Sequence, residues 1–183
     1  MKKLLLILSI FFMGVSCIAQ DYDSIYENLK EADFEYVFGI DPFQAEDYVK
    51  YNASPYPLLR LGVDYKFKDT VIERGYYLLT PREKNGQDYV LFKQEGRVKY
   101  IIPVYKKELV DVDFYQKHVP SIKKGPWSRF CDNMSKTVGK ISKQSKRSEL
   151  PKAYIEADEI GNRYWQLFLY YDTQKYYMLF EKE

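Results

Sequence analysis

The stretch Arg163-Tyr164-Trp165-Gln166-Leu167-Phe168-Leu169-Tyr170-Tyr171 decides the fold. Read with the two-residue period of a strand, it puts Tyr164, Phe168 and Tyr170 on one face and Trp165, Leu167 and Leu169 on the other. A strand that is apolar on both faces needs cover on both sides, or else it presents aromatics to a ligand. Turn residues bracket it, with Gly161-Asn162 before it and Asp172 to Lys175 after it. Tyr154 to Glu159 and Tyr176 to Glu181 then read as its neighbours, making a three-stranded antiparallel meander.

A second meander is expected upstream. Gly75 to Thr80 is a short apolar run, and Asn85-Gly86 is a hairpin signal because both residues tolerate positive φ. Asp88 to Lys93 follows as a strand, and Glu95-Gly96 is the next turn. In Arg97 to Tyr105, Val98, Tyr100, Ile102 and Val104 share one face. Pro103 has no N–H for a ladder, which predicts an edge or kinked strand.

Helical spacing predicts helices at 23–32, capped by Asp23 or Ser24, and at Pro42 to Tyr51, with Asp41 before it as cap. The strongest periodic signal lies at about 127–143. There Trp127, Phe130, Cys131, Met134, Val138 and Ile141 form one apolar stripe, with Lys136, Lys140 and Lys143 opposite. The expected fold class is therefore α+β: an antiparallel sheet of two three-stranded meanders, five to seven strands in all, with this amphipathic helix packed on one face.

The chain has 183 residues, the length of one domain with a sizeable core. It is tyrosine-rich, with 19 Tyr beside 11 Phe and 2 Trp, a composition that suits strands and half-buried surfaces.

Residues 1–19 read as a secretory signal peptide: Lys2 and Lys3, an apolar run from Leu4 to Met13, then Gly14, Ser16 and Ala19. The run is shorter than the roughly 20 residues of a membrane span. Two processing routes fit. Cys17 and Ala19 suit cleavage before Gln20, which leaves residues 20–183 as a single α+β domain. Val15-Ser16-Cys17 also resembles the end of a lipobox, which would make Cys17 a lipidated first residue and tether the chain to a bacterial membrane. The expected location is the periplasm or outside the cell, with membrane contact only through that anchor.

Loss of residues 1–19 removes two lysines and no acids, leaving 26 basic and 26 acidic residues. A neutral exported chain gives no electrostatic case for nucleic acid. The charge is nevertheless segregated. Residues 20–50 carry nine acids and two bases, while residues 121–152 carry nine bases and two acids, so −7 faces +7.

No catalytic or cofactor constellation is legible, and no cofactor is expected. His118 and Cys131 are the one conceivable thiol–imidazole pair, but Cys131 sits on the apolar stripe, where a thiol behaves as a small hydrophobe. Asp111 and Asp113 stand at strand spacing, a geometry in which two carboxylates share acid–base work. The leading expectation is a non-catalytic binding module of the envelope, inhibitor- or immunity-like, whose partner is an envelope protein or a glycan. The alternative is a small hydrolase using the two carboxylates. The candidate ligand or partner surface is Tyr164, Trp165, Tyr170 and Tyr171, together with Lys136, Lys140 and Lys143.

The stripe yields a direct test. Phe130→Ala should cost about 3–5 kcal/mol in urea unfolding, while Lys140→Ala should cost under about 0.5. The Cys131 thiol should resist labelling until the protein unfolds. Rapid labelling of native protein, together with a mild effect of Phe130→Ala, would mean that the stripe faces solvent or a partner.

Overall fold

The computed structural model describes residues 20–51, 53–119 and 148–182. It is a mixed, mostly antiparallel sheet protein with a few short helices, 49% strand and 16% helix among the described residues. The helices are α1 (Tyr22–Asn28), α2 (Gln44–Lys50) and α3 (Phe114–His118), with a 3-10 turn at Val37–Gly39. The strands are β1 (Leu58–Leu61), β2 (Tyr65–Phe67), β3 (Thr70–Ile72), β4 (Gly75–Lys84), β5 (Gln87–Gln94), β6 (Arg97–Pro103), β7 (Lys106–Leu109), β8 (Ala153–Ile160), β9 (Tyr164–Tyr171) and β10 (Gln174–Lys182).

These strands form two sheets, where the sequence reading expected one. The first has the order β1-β4-β5-β6, and the second β3-β2-β10-β9-β8, with β7 also paired to β10. Every pairing between the named strands is antiparallel. The change of sheet happens at Pro103. Its ring cannot donate to a ladder. The chain leaves β5 with one last rung, Val104 N–H to the Asp88 carbonyl at 3.0 Å, and the next N–H, on Tyr105, donates to Tyr177 of β10 at 3.0 Å. One proline thus ends β6 as an edge strand and passes the chain to the other sheet.

The hairpin turns follow the residues that favour them. Asn85 (φ 55°) and Gly86 (φ 77°) close β4–β5, and Glu95 (φ 53°) and Gly96 (φ 77°) close β5–β6. Two successive left-handed residues match the strand twist, which is why Asn-Gly is favoured there. The central strand β9 pairs along its whole length with β8 and β10.

A shared hydrophobic core joins the sheets. Leu79, Val90, Phe92 and Ile102 of the first meet Leu167, Leu169, Met178 and Phe180 of the second. Phe92 touches Tyr77 at 5.7 Å and Phe180 at 6.2 Å between ring centres, the latter across the sheets. A smaller cluster of Tyr115, Phe168 and Tyr170 lies under α3.

The short helices depart from expectation in their ends. Asp21, rather than Asp23 or Ser24, caps α1 by accepting from Ser24 N–H at 3.1 Å, so this helix starts early and stops at Asn28. Helix α2 begins at Gln44, after Phe43, and Asp41 stands one turn ahead of it, with its carbonyl accepting from Gln44 N–H at 3.1 Å. The stripe at 127–143, with Lys136, Lys140, Lys143 and Cys131, lies outside the described residues, as do Cys17 and the segment 1–19. No described helix is long and apolar enough to cross a membrane.

Phe92→Ala should cost about 3–5 kcal/mol in urea unfolding, as for a large aromatic removed from a closed core. A loss below about 1 kcal/mol would mean that the sheets are not held together through this ring.

Candidate functional site

Cross-strand register builds the polar centre of the molecule. On β4 and β5, Arg82 pairs with Tyr89, Thr80 with Leu91 and Leu78 with Lys93, so Arg82 and Lys93 share one face. That face looks away from the core residues Leu79 and Phe92. The acidic N-terminal segment lies across it. Phe34 meets the Tyr89 ring edge-on at 5.3 Å. Asp41, fully buried, then reaches both cations. Its Oδ2 accepts from Lys93 Nζ at 2.5 Å and from Arg82 Nη2 at 2.8 Å, and its Oδ1 accepts from Phe43 N–H at 3.2 Å.

Further groups close the cluster. Arg82 Nη2 also donates to Asp47 of α2 at 2.6 Å, and Tyr56 donates its hydroxyl to the same carboxylate at 2.5 Å. Lys93, only 1% exposed, has a second acceptor in Gln44 Oε1 at 3.2 Å and lies 4.6 Å from the Tyr56 ring centre. Two carboxylates and two cations make the group neutral.

The charge states follow from this geometry. Burial alone would raise the Asp41 carboxyl, but the hydrogen bonds from Arg82 and Lys93 outweigh it and hold the group below the usual carboxylate range. Burial pushes the Lys93 ammonium down, against the pull of Asp41 and with the help of the nearby Arg82 charge. Burial and then the bond to Asp47 push the Tyr56 hydroxyl far up, so it stays a donor.

The cluster holds out an apolar turn beside it. Val37, Phe38, Ile40, Phe43 and Val49 are all exposed, and Phe38 is 80% exposed. Phe38 has φ 52°, a left-handed conformation that costs a bulky side chain roughly 1–2 kcal/mol. Gly39 follows at φ 69°, and a Cβ there would stand 3.1 Å from the Val98 carbonyl oxygen. Close approach to β6 therefore sets the backbone of the turn. Next to it, Glu31, Phe34, Tyr36, Thr70, Tyr100 and Ile102 line a cleft of about 430 Å³.

The surface expected from sequence is divided. Tyr164 and Tyr170 are buried, with hydroxyls donated to Asp23 at 2.6 Å and Glu156 at 3.0 Å. The Tyr170 face is covered by Phe114, stacked at 4.0 Å. Trp165 is half-buried, stacked on Tyr65 at 4.1 Å, in a cleft of about 490 Å³ that also holds Asp64, Arg74 and Glu159. Tyr171 is half-buried in a different cleft of about 670 Å³ beside Lys50, Tyr51 and Asp111. Opposite ends of β9 carry the two, so they do not form one surface. Asp111 and Asp113 stand in the turn that starts α3 instead of on a strand, where the Asp111 and Asp113 carbonyls take the first helical N–H groups. His118 Nδ1 is 2.9 Å from the Phe114 carbonyl oxygen, and its ring stacks on Phe114 at 4.2 Å. No group of three potential metal ligands occurs among the described residues.

Sequence reading missed the Asp41 cluster. The available signal was Lys93 itself, directly after the apolar run Tyr89-Val90-Leu91-Phe92 in a predicted strand. A lysine there needs a buried partner.

Asp41→Asn should destabilise the protein by about 3–5 kcal/mol at neutral pH, because it leaves buried cations undercompensated. The Asp41 carboxyl titrates lower folded than unfolded. Its contribution is complete above about pH 4, the ordinary aspartate value, and is lost as pH falls through the lower folded value. The gap between wild type and Asp41→Asn in urea unfolding should therefore narrow in acid. A gap that stays constant from pH 7 to pH 2 would remove the carboxylate from this role.

The chain matches no protein-family model, no curated protein and no solved structure.

Proposed function

We propose that this chain is a non-catalytic binding module of the bacterial envelope that presents the turn at residues 37–43 to a partner protein. The observation that carries the reading is Phe38, a large apolar side chain held at positive φ and left 80% exposed. Folding alone gains nothing from such a residue. Strain and exposure at one position mark places where binding recovers the cost.

The surroundings define the partner. Val37, Ile40 and Phe43 extend the apolar surface, and the adjoining cleft gives it a concave flank. Asp41 and Asp47 are neutralised within the cluster, but Glu31, Asp33 and Glu35, all exposed beside the cleft, make the rim acidic. A partner with an apolar pocket ringed by Lys or Arg is complementary in both shape and charge. Envelope location rests on the signal-like segment 1–19, with either cleavage before Gln20 or lipidation at Cys17. An intact mass that retains residues 1–16 in protein from the native host would defeat both routes.

Phe38→Gly separates stability from binding. It should raise stability by about 1 kcal/mol through relief of the left-handed strain, and at the same time weaken partner capture by tenfold or more. Capture is measured by cross-linking of the full chain in envelope extract, with Asn85→Ser in the β4–β5 hairpin as the control. Equal capture by Phe38→Gly and wild type would overturn the reading.

A further inference from the structure

The second sheet carries an aromatic cage on the face that bears Phe168 and Tyr170, away from the turn at 37–43. Register builds it. Across β8, β9, β10 and β7, one row runs Glu156, Phe168, Tyr177, Lys106, and the next runs Tyr154, Tyr170, Lys175, Glu108. The Lys175 ammonium lies 4.1 Å from the Phe168 ring centre, 4.5 Å from Tyr177 and 4.8 Å from Tyr170. Phe168 and Tyr177 meet edge to face at 90° and 5.2 Å, so the rings stand as walls instead of lying as a flat floor.

The rings are fixed from outside. Tyr170 donates its hydroxyl to Glu156 at 3.0 Å, and Tyr177 donates its own to Glu108. Phe114 stacks behind Tyr170. The two carboxylates add negative potential to the ring faces without entering the cage. Glu108 is opposite Lys175 in the ladder, yet it is engaged by Lys106 at 2.7 Å.

Among the described residues, Lys175 Nζ has neither an ion pair nor a hydrogen bond. Its three donors are left to solvent, which the rings on three sides partly exclude. Burial accordingly pushes the Lys175 ammonium down, with Lys106 adding to the effect while Glu156, Glu108 and Asp158 oppose it. A cation without N–H groups suffers no such loss. Aromatic faces with no acceptor among them favour a quaternary ammonium over a primary one.

From this geometry we infer that Phe168, Tyr170 and Tyr177 form a binding site for a trimethylammonium group, in which Lys175 is a built-in competitor that the ligand displaces. Lys175 is half-exposed, so its side chain has room to swing into water. This inference is independent of the proposed partner at Phe38.

The test uses choline and its neutral carbon isostere, 3,3-dimethyl-1-butanol, titrated calorimetrically into the full chain. Lys175→Ala should bind choline about tenfold or more tightly than wild type does, and about tenfold more tightly than it binds the isostere. Tyr177→Leu added to Lys175→Ala should remove that preference. In wild type, saturating choline should shift the Lys175 ε-methylene proton resonances away from their ring-shielded positions, a reading that needs no variant to fold. Equal affinity for choline and the isostere would show a mere apolar hole and overturn the inference. So would unmoved Lys175 resonances at choline concentrations that saturate Lys175→Ala a hundredfold. Co-sedimentation with phosphatidylcholine but not phosphatidylglycerol vesicles would assign the group to a lipid head group, and choline binding without sedimentation to a free solute.

Discussion

The burial of Asp41 between Arg82 and Lys93 is the constraint on which the N-terminal third of this protein depends. A carboxylate alone in that position would be expelled or protonated, and Lys93 alone would be deprotonated or would open the sheet. Together, and with Asp47 and Tyr56, they are neutral and hydrogen-bonded. Removal of Asp41 or Lys93 leaves its buried partner with a charge that the interior solvates poorly. The cluster therefore does more than add stability. It fixes residues 41–47 on the outer face of β4 and β5, beside the contact of Phe34 with Tyr89.

The same device recurs in weaker form. Tyr164 donates to Asp23 of α1, Tyr170 to Glu156 of β8 and Tyr177 to Glu108 of β7. Each pair sets a large apolar body inside and a polar tip on a neighbouring element. The abundance of tyrosine is then a means of fastening edges and helices to a sheet whose centre is already closed. Burial and the bonded carboxylates hold the Tyr164, Tyr170 and Tyr177 hydroxyls well above their ordinary value, so they remain donors over any physiological range.

What the fastened core leaves uncovered is informative. The turn at Phe38 keeps strained backbone and apolar surface that the fold could have avoided, and Lys175 sits in an aromatic enclosure that offers it no acceptor. Both features lie outside the shared core, on opposite partners of the sheet pair. Each is backed by groups that are satisfied: the Asp41 cluster beside the turn, Glu108 and Glu156 behind the cage.

Local chemistry determined much of the β structure by itself. Asn85-Gly86 and Glu95-Gly96 place their turns because few other residues accept two positive φ angles in succession, and the strands between them need only alternate. The two-sided apolar pattern of Arg163 to Tyr171 made β9 central, since no edge or surface strand tolerates it. Three things were decided only in three dimensions. The segregation into two sheets depended on where the chain could go after Pro103, and that is set by the free edge of β10 at Tyr177. The fate of Asp41 depended on Arg82 and Lys93, more than forty residues away and brought to one face by hairpin register. The aromatics of β9 carry one pattern, but Tyr164 and Tyr170 are buried and Trp165 and Tyr171 fall in separate clefts, because cover comes from α1, α3 and β2, whose approach no period along β9 records. A side chain's direction from its strand is a local property. What it meets there belongs to distant chain, and that meeting decides whether it serves as core, lock or binding surface.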